Sequence, residues 1–326
     1  MTLLDSPASP EAPAPPDPGS APVPPTRATA KPARRPVSLP WQLVSTALII
    51  LATTLLGFVL YVGLISGLHH DRAQHTAYAN FRKELAMATA PVGPTELKDP
   101  NHTERGSRLV HVGTAVAILR IPEIGVREVV FEGTSGSVLQ KGPGHLRDTV
   151  LPGQAGLSEI MGRAAAYGGP FGKLSHLNPG DTFSVTTGQG VSNFRVLDVR
   201  RAGDAQPAPP DAGRGRLILA TAAGSPLLPS GVLRVDADLV SPTQPTPRQV
   251  LTDANLSPSE KALGTDPAAW IPLVLWGQVL VIAAIGITWA RMHWGRWQIW
   301  IVAIPVLGFF GLTVADEIAR LFPNLM

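Results

Sequence analysis

Three long apolar runs divide the chain. The first, Trp41 to Gly67 (WQLVSTALIILATTLLGFVLYVGLISG), carries no charge. At ~1.5 Å rise per residue it is long enough to cross a ~30 Å hydrocarbon core. The second, Trp270 to Ala290 (WIPLVLWGQVLVIAAIGITWA), has tryptophan near both ends, the place such side chains take at a membrane–water interface. The third covers 297–314. All three are expected to be transmembrane helices. Arg27, Lys31, Arg34 and Arg35 precede the first run, and Arg291 and Arg296 lie between the second and third. A single topology puts both basic groups in the cytoplasm, with the N-terminus inside and the region between the first two spans outside. A multi-pass plasma-membrane protein is expected. Cleavage after Ala77-Tyr78-Ala79 as a signal peptide fits poorly, because the run is too long for an h-region and the site lies well past its end.

Between the spans the pattern changes to strands. Alternating or β-branched runs recur as VAILRI, REVVFEG, TFSVTT, NFRVLDV, RLILAT and VLRVDADLV, separated by Gly, Pro, Asn and Asp clusters. Several short strands with turn signals predict a mainly β domain, a small barrel or sandwich, over 109–240. Residues 68–108 (HHDRAQHTAYANFRKELA and onward) are Ala-rich with mixed charge and read as a helical stalk. Residues 241–269 read as a linker. Residues 1–40 are Pro/Ala-rich and then basic. They bury too little apolar surface to offset their ordering entropy, so they are expected to be a disordered cytoplasmic tail.

Composition narrows the chemistry. The chain has 33 Pro, 32 Gly and a net charge of +3. Its basic residues gather beside apolar runs, which suits membrane orientation and not nucleic-acid binding. It contains no cysteine, which excludes disulfides, thiolate metal sites and a thiol nucleophile. His69, His70 and His75 cluster near the first span but lack carboxylate or cysteine partners in sequence, so no metal or other cofactor is expected.

Three blocks carry a family resemblance. Residues 119–146 read LRIPEIGVREVVFEGTSGSVLQKGPGHL, residues 151–181 read LPGQAGLSEIMGRAAAYGGPFGKLSHLNPGD, and residues 217–224 read LILATAAG before the strand VLRVDADLV. In this order and spacing they resemble the sortase family of membrane-anchored cysteine transpeptidases. The resemblance implies an eight-stranded β-barrel outside the membrane. It also implies a setting in cell-wall protein anchoring in a Gram-positive envelope, and the Pro/Ala/Arg-rich composition points to actinobacteria.

The family's chemistry needs a cysteine thiolate that attacks a sorting-signal carbonyl, a histidine that moves protons, and an arginine that steadies oxyanion charge. Each position departs here. The histidine of the family's Gly-His-Arg aligns with Arg163, the cysteine of Leu-Thr-Leu-Thr-Thr-Cys aligns with Ala222, and the arginine aligns with Val232. Arg234 lies two residues on, on the same face of a strand. Alanine has no nucleophile, and losing one typically costs on the order of 10⁴–10⁶ in rate. The expectation is therefore a catalytically inactive sortase-like membrane protein. It would act as a binding or assembly partner for a sorting-signal peptide, an active sortase or another envelope protein, and would be able to oligomerise through its spans. The peptide-binding candidates are Arg163, Thr221, Ser225, Arg234 and His145.

An alternative keeps an enzyme: a transpeptidase or hydrolase whose nucleophile is Ser225, with His145 or His176 as base. An unactivated serine needs such a base within hydrogen-bond reach. Asp99-Pro100 resembles the lid dipeptide of pilus-assembling sortases, yet Asn101 stands where those carry an aromatic residue. Gln278, mid-span in the second apolar run, invites a hydrogen bond from another span.

Overall fold

The computed structural model describes residues 61–96, 108–225, 228–293 and 296–326, together with 56–59 and the single positions Trp41, Leu48 and Ala52. The Pro-rich tail 1–40, most of the first apolar run and Asp99-Pro100 lie outside the described residues.

Eight strands close a barrel. They are β1 (Ala115–Ile121), β2 (Val126–Glu132), β3 (Gly144–His145), β4 (Gly156–Met161), β5 (Thr182–Thr187), β6 (Gly190–Arg200), β7 (Gly215–Ser225) and β8 (Leu228–Leu239). The order round the barrel is β8-β6-β5-β1-β2-β3-β4-β7, closing β7 on β8. Two pairs are parallel, β2 with β3 and β4 with β7; the others are antiparallel. The mainly β barrel expected from the motifs is thus the fold observed.

Strand alternation sorts the side chains. Leu217 and Leu219 of β7, Leu233 and Val235 of β8, and Ile160 of β4 join the lumen core with Phe171, Phe183 and Phe194. Residues of the other parity on these three strands point outward. They are not left to water. Met161, Ala220 and Val232 form a second buried cluster with Leu139, Leu146, Leu256 and Leu325, and Ala222, Ala262 and Leu263 pack against it. The residues between the barrel and the second apolar run therefore do more than connect. They make successive 3₁₀ turns (Asp253–Asn255, Pro258–Glu260) whose Leu256 and Glu260 are buried. Thr134 Oγ1 donates to the Glu260 carbonyl.

The helix expected after the first run is α1 (Ser66–Ala86), entered through a π-helical turn at Tyr61–Ile65. It lies against β2. Gln74 Oε1 accepts from the Val129 N–H at 2.7 Å, and Gln74 Nε2 donates to the Val129 carbonyl at 3.1 Å and the Lys141 carbonyl at 2.8 Å. One amide side chain thus stands in for a neighbouring strand and satisfies main-chain groups that a sheet edge leaves open. Gly142 makes room for it, since a Cβ there would lie 2.0 Å from Gln74 Nε2. His70 Nε2 pairs with Glu128 at 3.1 Å, so one of the three juxtamembrane histidines is committed to the barrel.

Two helices follow the barrel, α2 (Trp270–His293) and α3 (Arg296–Leu321). The stretches Pro267–Ile287, which begins in the turn before α2, and Ile301–Leu321 are long and apolar enough to cross a membrane. The third element extends past the predicted 297–314. Gln278 is exposed and makes no side-chain hydrogen bond among the described residues.

Candidate functional site

The register places the positions singled out by the motifs on one outer face. Val232 is directly opposite Ala222, Arg234 is opposite Ala220, and Ala220 is opposite Met161. Ala222 and Val232 therefore meet across the β7–β8 pair because they share strand parity, and β4 brings residue 163 alongside through the turn after Met161. Gly162 is needed in that turn: a Cβ would lie 2.6 Å from the Phe171 ring. Its N–H donates to Ala220 O at 3.0 Å, and its carbonyl accepts Thr221 Oγ1 at 2.8 Å. Thr221 is thereby buried and engaged in holding the strands together.

Arg163 is buried. Its Nη1 donates to the Met326 main-chain oxygen at 3.1 Å and its Nη2 to the Gly136 carbonyl at 3.2 Å. The guanidinium carbon lies 4.9 Å from the Tyr167 ring centre, a cation–π distance. Burial lowers its pKa to about 10, with Tyr167 and Asp316 opposing that shift. The group stays charged at neutral pH, so it cannot take the proton an imidazole would take there. Tyr167 in turn donates to Asp316 Oδ1 at 3.0 Å, as does Tyr61 at 2.6 Å, and Gln140 Nε2 donates to the Tyr167 hydroxyl at 3.0 Å. Residues from the first apolar run, the barrel and α3 thus converge on one carboxylate.

Beside Ala222 a pocket of about 370 Å³ remains open, lined by Thr221, Ala222, Ser225, Ser175, Arg201 and Phe171 among others. Among the described residues, no histidine or carboxylate lines it. Ser225 is exposed and its side chain makes no hydrogen bond among the described residues, so the serine of the alternative reading has no base beside it there. A larger cleft of about 420 Å³, bordered by Arg120, Thr182, Ser184 and Asn193, shares none of these residues.

His145 is elsewhere and occupied. It is buried, with Nδ1 2.9 Å from Glu132 Oε2 and Nε2 3.0 Å from the Val150 carbonyl. Burial pushes the imidazole pKa down, but the Glu132 charge and hydrogen bond and the Val150 carbonyl outweigh it, so the net shift is upward. Both ring nitrogens face acceptors, which is the geometry of an imidazolium holding the barrel wall. His176 is exposed. Arg234 is half-buried near Glu159, whose carboxyl is raised by burial and drawn partly back by Arg234.

Motif reading missed Tyr167, Gln140, Arg201 and Glu159. Asp316 did carry a signal, as a carboxylate adjoining an apolar run that can serve as a buried functional group.

Residues 119–225 match the family model described as the Sortase domain. Sortase D of Bacillus subtilis (strain 168) is 27% identical over 88 residues, which are 27% of this chain and 43% of that protein. The chain thus spans less than half the length of this curated relative. Among solved structures, a Clostridium perfringens sortase D5 transpeptidase is 18% identical, with a TM-score of 0.40 over 53% of this chain and 98% of that one. Sortase E from Streptomyces avermitilis is 28% identical, with a TM-score of 0.36 over 47% of this chain and 100% of that one.

Proposed function

We propose that the chain, whose residues 119–225 match the Sortase domain model, is a non-catalytic sortase-family member, a membrane-held binding or assembly partner in cell-envelope protein anchoring. One observation carries this reading. Ala222 puts a methyl group beside a pocket that, among the described residues, holds neither a nucleophile–base pair nor a histidine, while the residue standing for the family's proton carrier is a buried arginine bonded to main-chain oxygens. Attack, proton transfer and oxyanion support all lack their usual groups.

In this reading the barrel is extracytoplasmic and the apolar helices hold it at the plasma membrane. The partner is a sorting-signal protein or an active sortase. The pocket beside Ala222, with Arg201, Ser175 and Ser225 on its wall, is the contact left for it. Purification of the full chain from native membranes after mild cross-linking tests this, beside a control holding the spans alone. Enrichment of envelope proteins over that control is expected. No enrichment removes the assembly role, and turnover of sorting peptides that is lost in Ser225→Ala replaces the reading with an enzyme.

A further inference from the structure

The outer face of β4, β7 and β8 already holds a peptide. After α3 the chain turns back onto the barrel, and Leu325 is fully buried in the cluster that contains Met161, Ala220 and Val232. Its carbonyl accepts the Ala164 N–H at 2.9 Å, and the next main-chain oxygen, of Met326, accepts from Arg163. Asn324 is received as specifically. Its carboxamide nitrogen donates to the carbonyls of Thr134 (2.8 Å), Lys261 (3.0 Å) and Ser259 (3.2 Å), and its own N–H donates to Gly264 O at 2.9 Å.

Three features separate this from a loop that merely passes over a surface. An apolar side chain fills a pocket, so it is anchored by burial. The Asn324 amide nitrogen faces three carbonyls, so its register is set by donation, while its Oδ1 is buried without a hydrogen-bond partner among the described residues. The oxygens of Leu325 and Met326 are bound by Ala164 and Arg163, a residue pair that follows β4 after Gly162. Arg163 thus gains a role that its alignment with a histidine does not suggest: it receives a main-chain oxygen.

We propose that this face is a peptide-binding site whose ligand is the chain's own segment Pro323–Met326, with Leu325 as anchor and Asn324 as the register-setting group. The segment ties the barrel to α3 and keeps the face from any ligand of another chain while it is docked. This deepens the non-catalytic reading above and rests on it, since the face has no chemistry to perform on what it holds.

The test uses the full chain in lipid nanodiscs. Because the sequence has no cysteine, Val232→Cys supplies a single thiol under the segment. Maleimide labelling of that thiol is expected to be slow and to rise at least ~10-fold when Leu325→Asp is added. Hydrogen exchange at the Ala164 amide should accelerate to a similar degree, while the Leu217 and Leu219 amides in the barrel stay protected. Labelling of Val232→Cys that is equally fast with Leu325 intact overturns the proposal, as does an Ala164 amide no slower in the parent than in Leu325→Asp. If Leu325→Asp exposes the Leu217 and Leu219 amides, Asn324→Ala replaces it under the same criteria. If Asn324→Ala exposes them too, the segment is part of the barrel's core and not a ligand, which also overturns the proposal. None of these readouts depends on capturing a partner, so failure here leaves the assembly reading to its own test.

Discussion

Ala222 and Val232 face each other directly across β7 and β8. Where the family motifs lead one to expect a sulfur opposite a guanidinium, a methyl meets an isopropyl group. Ala222→Cys should therefore install an accessible but idle thiol. The pocket beside it is open, so a maleimide should label it, yet among the described residues no histidine is there to exchange protons. Intact-mass spectrometry after incubation with a sorting peptide should find no acyl-enzyme. A stable adduct would mean that another group serves as base.

Arg163 holds two main-chain oxygens and stacks on Tyr167. Arg163→Ala removes the donor to the Met326 oxygen and one of two donors to the Gly136 carbonyl, which keeps the Gln140 N–H, and should cost about 2 kcal/mol. Arg163→Lys keeps the charge but not the fork that reaches both oxygens, and should cost about half as much. Thermal unfolding of the full chain in nanodiscs measures both. Equal stability of the three proteins would mean that these contacts contribute nothing.

The His145–Glu132 pair predicts how stability varies with pH. The imidazole pKa is raised in the folded protein, so the folded state binds its proton more tightly than the unfolded chain does. The pair's stabilisation is then complete below the unfolded value of about 6.5 and is lost as pH rises through the folded one. Glu132→Gln should lower stability at pH 6 and flatten the decline towards alkaline pH. Melting curves collected from pH 6 to 9 would decide it, and a wild-type curve no steeper than that of the variant would contradict the assignment.

Gln74 closes the exposed side of β2 at Val129. Gln74→Ala should leave that N–H and carbonyl unpaired, at a cost of about 2 kcal/mol. The Val129 amide should then exchange much faster than its neighbours in β1. Unchanged protection at Val129 would show that the side chain is dispensable.

Much of this was readable from sequence, for physical reasons. The alternation in RLILAT and VLRVDADLV assigns Leu217 and Leu219 to one side and Ala220 and Ala222 to the other, because a strand repeats every two residues. The family blocks named the barrel, and the absence of cysteine excluded thiol catalysis without any coordinates. The second and third apolar runs announced their helices by length alone.

The fate of the outer face was not readable. Arg163 meets Met326 across 163 positions, and Asn324 meets Thr134 across 190. Periodicity reports which side of its own strand a residue occupies, but it carries no information about which distant segment will come to rest there. Composition and spacing thus determined a barrel without a thiol, linked to runs long and apolar enough to cross a membrane. Only chain folding decided that residues 253–264 and 323–326 cover its altered face, because burying Leu256 and Leu325 there removes apolar surface from water and gives Arg163 and Asn324 partners that no local pattern supplies.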